Sequence, residues 1–255
     1  MKVDINSDLG ESYGRWTLGD DEGMMKIISS ANVACGYHGG DALTMTRCVE
    51  LAKEHGVALG SHCGLPDLLG FGRVPMDIDP RVLSRHFLYQ HGALEAIAKV
   101  GGYPVSHCST HGAMGEMGRR NPDYDDFFFE MMAKFNPELK TSVIAGSMAE
   151  KMAQKHGLAT VGKVFADRAY DDEGNLVNRK VPNSVIHDLD EVQRRIVQFL
   201  DDESFTTITG GKVRFKGARS ILVHSDTTGA VEIAQAVRDA IEGGGGEVVP
   251  FTELC

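Results

Sequence analysis

The sequence predicts an α/β fold, with about seven strands alternating with helices and closing, or nearly closing, into a seven-stranded β/α barrel. Three observations carry that expectation. Short apolar runs alternate along the chain with segments of helical period. The length of 255 residues suits a barrel, which needs roughly 250. Polar segments also end or follow apolar runs across most of the chain: DINSDLGE at 4–11, ANVACGYHGGD at 31–41, ALGSHCG at 58–64, VSHCSTHG at 105–112, VFADRAY at 164–170 and ILVHSD at 221–226. Enzymes of this class place their chemistry just beyond the C-terminal strand ends, and a barrel brings the first and last strands to one rim. A doubly wound open sheet is the alternative, but it must bring distant strands to one crevice.

The first strand is KVDIN (2–6), followed by an acidic turn and a helix over DDEGMMKIISS (20–30). ANVACG (31–36) is the second strand. In ALTMTRCVELAKEH (42–55), Met45, Cys48, Val49 and Ala52 recur at helical spacing, and Gly56 supplies a left-handed stop. VALGSH (57–62) reads as a strand, and a helix runs from about Arg81 to Val100 with Phe87, His91, Leu94 and Ala98 inward. GGYPVSHCST (101–110), TSVIAG (141–146) and LATVGKVFAD (158–167) carry the next three strands, with the helix MAEKMAQKHG between the last two. His55 and His156, each ahead of a glycine at a helix end, suit the carbonyl pole of the helix. Residues 165–220 hold an active-site loop, a helix at about 189–201 and a small hairpin in TTITGGKVRFKGARS. SILVHSD (220–226) is the last strand and AVEIAQAVRDAIEGG (230–244) the last helix. One domain over 1–255 is the expectation.

Lys+Arg of 26 against Asp+Glu of 36 gives a formal charge of −10, which discourages nonspecific contact with nucleic acid or anionic membrane. No run of roughly 18 apolar residues suggests a membrane span, and the N-terminus does not read as a secretory signal. The five cysteines, Cys35, Cys48, Cys63, Cys108 and Cys255, are odd in number and lack a CxxC pair, which suits a reducing cytoplasm.

At the rim, Asp8 and Glu11 are close enough to split their pKa values, one kept charged and one raised, an arrangement suited to proton transfer. Asn6 is one strand period before Asp8 and faces the same way. His38 lies among glycines in CGYHGGD; Asp41 suits either a helix N-cap or catalysis. His62 and His111 end apolar runs and suit general acid–base work near pH 7. A divalent metal with Asp8 or Asp167 is a further option, although no HxxxH or HExxH spacing marks a preformed site. His107 is expected in a buried network or against a helix, and Cys63 and Cys108 as small buried hydrophobes. In FADRAY, Asp167 orients a histidine or acts as a base, and the planar fork of Arg168 suits a substrate carboxylate. His224 and Asp226 alternate in VHSD and share a face.

These segments together resemble the LamB/YcsF family: DINSDLGES, SSANVACGYHGGD, LAKEHGVALGSHCGLPDLLGFGR, HGA, VFADRAY and VHSDTTGAV, in that order over residues 4–231. The resemblance implies a seven-stranded β/α barrel related to the glycoside hydrolase/deacetylase folds. It also implies ATP-coupled opening of the lactam 5-oxo-L-proline to L-glutamate, as the A component of an assembly with subunits B and C. The positions carried over are Asn6, Asp8, Glu11, His38, Asp41, His62, His111, Asp167, Arg168, His224 and Asp226, as active-site or site-shaping residues. On this basis Asp8, His38, His62, His111 and Asp167 are the expected catalytic residues, and Asn6, Glu11, Arg168, His224 and Asp226 the expected substrate contacts.

The chain departs from the family pattern where Ser109-Thr110 replaces Lys-Pro before HGA and Gly115 replaces a tyrosine. It also has Cys63 for proline, Val74 for arginine, and Ser225 and Thr228 for glycine and proline. With no GxxxxGK[ST] phosphate loop, ATP is expected to act with the partners' help. Two alternatives stand beside this reading: ATP-independent, metal-assisted hydrolysis of another amide, and a scaffold component without chemistry.

Overall fold

A computed structural model describes residues 1–254; Cys255, the fifth of the expected free thiols, lies outside the described residues. In chain order the elements are β1 (Lys2–Leu9), α1 (Asp21–Met25), β2 (Ser30–Ala34), α2 (Ala42–His55), β3 (Ala58–Cys63), α3 (Pro80–Gly101), β4 (Val105–Thr110), α4 (Ala113–Arg120), α5 (Pro122–Phe135), β5 (Lys140–Ile144), α6 (Met148–Lys155), β6 (Thr160–Phe165), α7 (Leu189–Asp202), β7 (Ser204–Thr206), β8 (Lys212–Arg214), β9 (Ser220–His224), α8 (Ala230–Gly243) and β10 (Glu247–Val248). A 3₁₀ turn, Phe251–Glu253, follows.

The sheet runs β1-β2-β3-β4-β5-β6-β9, every pair parallel, and closes because β9 also pairs with β1, Asp4 opposite Ser220 through Asp8 opposite His224. Closure decides for the barrel over the open sheet. β10 pairs only with the first residues of β1, below the barrel wall. The expected hairpin is the β7–β8 pair.

Local chemistry explains most boundaries. Asp41 caps α2 by accepting from the Thr44 amide at 2.8 Å, and Gly56 ends it at φ 69°. α3 starts with the Asp79 cap and Pro80 and buries Phe87, His91, Leu94 and Ala98, the expected face. α1 is shorter than the 20–30 expected, because Ser29 is drawn into the barrel wall: its hydroxyl donates to Asp4 and its backbone amide to Ile5 O. Helices α4 and α5 go beyond the sequence expectation, although Asn121 caps α5 and Pro122 opens it.

Two apolar clusters lie between strands and helices. One packs Ile5, Val33, Ile221 and Val223 against Ile196, Phe199, Ile233 and Val237. The other packs Cys63 and Cys108 with Phe87, Met114, Phe128 and Met132. Each large side chain buried this way stabilises by about 1.5–3 kcal/mol. The barrel interior differs from the branched aliphatic layers usual for such folds. It holds a polar chain: His107 Nε2 donates to Asn32 Oδ1 at 3.1 Å, and Asn32 Nδ2 donates to Asn6 Oδ1 and, at 2.8 Å, to Asp8 Oδ1. A side chain at Gly60 would come within 2.3 Å of the His107 ring, so the glycine makes room for it. His107 thus takes its expected place in a buried network, and burial lowers its pKa to about 3, so it is neutral.

Candidate active site

Asp8, His62, Phe165 and His224 sit at the C-terminal ends of their strands, and Glu11, His38, His111 and Asp167 just beyond. They form one mouth, as the recurrence of polar strand ends predicts. Each strand contributes its own last residues, so the chain gathers them simply by closing the barrel.

At the centre, one donor atom from each of Glu11, His38, His62 and His111 lies within 4.8 Å of the others, and all four residues are buried. His62 Nε2 stands 3.0 Å from His111 Nδ1, and Glu11 Oε1 is 3.5 Å from His111 Nδ1 and 3.4 Å from His38 Nε2. Burial, then the neighbouring Asp8, pushes Glu11 well above the carboxylate range. Burial likewise drives His38 and His62 well below the ordinary imidazole value, and His111 to about 4. The imidazoles are therefore neutral at pH 7, with lone pairs available.

This donor set fits a divalent cation. Four-coordinate bonds of about 2.0–2.1 Å place neighbouring ligand atoms roughly 3.4 Å apart, close to the spacings seen. Ring orientation narrows the ligands. His38 and His111 stack at 3.7 Å with their planes 4° apart, so one ion cannot lie in both ring planes. His62 is perpendicular to both. His111 Nε2 donates to Phe71 O at 2.8 Å, which leaves Nδ1 as the lone-pair nitrogen facing the cluster. Glu11, His62 and His111 therefore make a three-residue set with room for water or substrate. His38 packs behind it, both ring nitrogens without a hydrogen-bond partner. Here three-dimensional assembly corrects the spacing argument against a preformed metal site: the ligands come from separate strand ends, not from one helix.

Asp8 bridges the cluster and the polar interior, with Oδ1 held by Asn32 and Oδ2 3.4 Å from His62 Nε2. Across the mouth, His224 Nδ1 lies 3.0 Å from both Asp167 oxygens, and Thr227 donates to Asp167 at 3.1 Å. Burial raises the Asp167 pKa, but His224 and Thr227 outweigh it and bring it below its ordinary value. Because Asp167 is fully buried, it orients His224, and the imidazole edge is what reaches the mouth. Of the roles expected for Asp167, this geometry takes the orienting of a histidine, and His224, expected as a substrate contact, is that partner.

Arg168 departs from its expected role. Its Nε donates to Ser184 O at 3.3 Å and its Nη2 to Val177 O at 2.6 Å, so the guanidinium ties down its own loop instead of offering a fork to a carboxylate. Asp41 is a backbone cap, its second oxygen accepting from Gly14 N at 2.8 Å. Asn6 lies below the mouth in the polar chain. Cys63 and Cys108 are buried, with thiol pKa values raised by burial, consistent with packing rather than nucleophilic chemistry. Met114 and Cys63 face the helix layer and do not plug the mouth.

Asp226, expected to contact substrate, instead holds a strap over the mouth. Arg73 donates to it at 2.5 Å, and Arg179, from the expected active-site loop, reaches it at 3.3 Å. The Arg73 guanidinium also covers the Phe71 ring at 4.8 Å, and Phe71 packs edge-on to His38 and His111. Phe71 takes φ 54°, an unfavourable conformation for a bulky residue. Phe71, Arg73, Arg179 and Asn32 join the site from outside the residues that sequence patterns mark. A Phe between two glycines, followed by Arg in GFGR, is the available signal for the strap.

Residues 3–255 match the family model described as LamB/YcsF family. The 5-oxoprolinase A-subunit 1 of Bradyrhizobium diazoefficiens is 48% identical over 254 residues, covering 100% of this chain and 99% of that protein. The 5-oxoprolinase A-subunit 2 of Agrobacterium fabrum is 46% identical over 253 residues, covering 99% of each. A crystal structure of a lactam utilization protein from Thermus thermophilus superimposes with a TM-score of 0.92 at 40% identity, covering 98% of this chain and 100% of that one.

Proposed function

The chain belongs to the LamB/YcsF family, and from that premise we propose that it is the A component of a 5-oxoprolinase, opening 5-oxo-L-proline to L-glutamate with ATP hydrolysis. The observation that carries the reading is the meeting of Asp8, Glu11, His62, His111 and the Asp167–His224 pair at one barrel mouth, in a chain aligned end to end with proteins of that name. In this reading residues 1–255 act as one domain in the cytoplasm with subunits B and C. Buried free thiols at Cys35, Cys48, Cys63 and Cys108 suit that compartment. Among the described residues, no helix is long and apolar enough to cross a membrane.

A lactam is a weak electrophile because nitrogen donates into the carbonyl. Phosphorylating its oxygen with ATP gives an activated imidate and ADP. One water then adds to the carbon and the ring C–N bond breaks, leaving glutamyl phosphate; a second water displaces phosphate from it, giving glutamate. Asp8 takes the proton from water, and His224, aligned by Asp167, supplies one to the departing nitrogen. Without a GxxxxGK[ST] loop, the phosphoryl step depends on the partner components.

The donor set favours a second reading, metal-assisted hydrolysis without ATP. A divalent ion on Glu11, His62 and His111 would supply carbonyl polarisation and a more acidic bound water. The test is glutamate formation from 5-oxoproline by the chain alone and with its partners, with and without ATP and a chelator. Glutamate and ADP in equal amounts support the first reading. Chelator-sensitive turnover at the same rate without nucleotide replaces it with the second. A protein that turns over no cyclic amide under any of these conditions would be the scaffold alternative.

A further inference from the structure

One buried cation is left without a role by the mouth chemistry. Lys163 lies on β6, is 6% exposed, and donates to Ser109 Oγ on β4 at 2.7 Å. β5 separates those strands in the sheet, so the side chain makes this contact through the barrel interior. The strand register carries its ammonium towards the mouth, because Ser109, its partner, is level with His62 on the neighbouring strand. The Ser109 hydroxyl is its hydrogen-bond partner among the described residues. A buried ammonium with one neutral partner is disfavoured unless further oxygen ligands complete its shell.

One other group in that interior has unused hydrogen-bonding capacity. Val143 packs outward with Met132, Leu139 and Ala153, so strand alternation turns Ser142 inward. Its hydroxyl is buried without a partner, on the strand between Lys163 and Ser109. A charged donor and a hydroxyl, both with capacity to spare, make an environment for an anion. The competing cations are committed elsewhere: Arg168 to backbone carbonyls, Arg73 and Arg179 to Asp226.

We propose that Lys163, supported by Ser142, receives the carboxylate of the substrate and sets the preference for a carboxylated lactam over a bare one. The inference rests on the cyclic-amide reading and deepens it. Ser109, which holds Lys163, is level with His62, and His62 stands 3.4 Å from Asp8, so a small ring held at its carboxylate turns its amide towards the cluster.

The test is equilibrium binding to the full chain by calorimetry, using 5-oxo-L-proline, 2-pyrrolidinone (the same ring without the carboxylate) and acetate. The proteins are the unaltered chain, Lys163→Met, Lys163→Arg and Ser142→Ala. The unaltered chain is expected to prefer 5-oxoproline by at least about tenfold, the scale of one charge-assisted contact. Lys163→Met should abolish that preference and keep 2-pyrrolidinone binding, while Lys163→Arg retains part of it. If Lys163→Met does not fold, Ser142→Ala gives the decision through a preference reduced by about two- to fivefold. A preference unchanged in a folded Lys163→Met, or in Ser142→Ala when that variant decides, overturns the proposal and leaves the cyclic-amide reading standing. If neither lactam binds the unaltered chain, acetate decides the anchor, and turnover in the presence of the partner components decides the cyclic-amide reading. Acetate binding lost in the deciding variant supports the anchor; no acetate binding, or unchanged binding, overturns it.

Discussion

Replacing Asp226 with asparagine removes the charge that holds the Phe71–Arg73 strap over the mouth while leaving the side chain nearly the same size. Burial pushes the Asp226 carboxyl up, but the hydrogen bond and charge of Arg73, joined by Arg179, bring it from 3.8 down to about 2. At 1.36 kcal/mol per pH unit, the net shift corresponds to about 2.5 kcal/mol at neutral pH. The Arg73 side chain is 40% exposed, so solvent and salt screen the interaction, and about 1–1.5 kcal/mol is the expected loss. A carboxyl whose folded pKa is depressed contributes fully above its unfolded value of 3.8 and loses that contribution as pH falls through about 2. The destabilisation in Asp226→Asn should therefore be constant from pH 6 to 8 and shrink below about pH 4. Urea unfolding of the unaltered chain, Arg73→Ala, Asp226→Asn and the double variant at pH 7 isolates the pair. Hydrogen exchange over residues 68–73 should rise in each single variant. A coupling energy within about 0.3 kcal/mol of zero would refute the latch, because two side chains 2.5 Å apart would then be holding nothing.

Arg168→Ala should destabilise the fold by about 1.5–3 kcal/mol, through loss of its bonds to Ser184 O and Val177 O, and leave the 5-oxoproline preference over 2-pyrrolidinone intact. Denaturation and ligand titration on the same preparation separate the two effects; a collapsed preference with unchanged stability would restore Arg168 as the substrate clamp. Asp125 is buried at the start of α5, and burial raises its carboxyl to about 6. The folded state then favours the protonated form, so stability declines as pH rises from about 4 through 6. Asp125→Asn should be more stable at pH 7, by up to about 3 kcal/mol, and no more stable at pH 4. Melting temperatures across that range that show no pH-dependent gain contradict it.

The parts legible in the sequence are those governed by neighbouring residues. Asp41 and Gly56 mark the ends of α2 within the helix itself, and the inward stripe Phe87, His91, Leu94 and Ala98 follows from a period of 3.6. Polar residues recurring at strand ends foretell the mouth, because a parallel barrel aligns those ends. What each mouth residue touches is a different question. His62 and His111 are 49 positions apart, and their contact exists only because β3 and β4 lie side by side with their ends in register. Arg168 beside Asp167 looks the same on paper whether its guanidinium faces substrate or its own loop. The path of residues 177–184 decides that, by placing two carbonyls in reach. Lys163 reads as an ordinary strand lysine until closure of the barrel puts it opposite Ser109. Sequence periodicity says which face a side chain takes; the closure and packing of the barrel decide which distant groups share that face, and with them the charges, the pKa values and the chemistry.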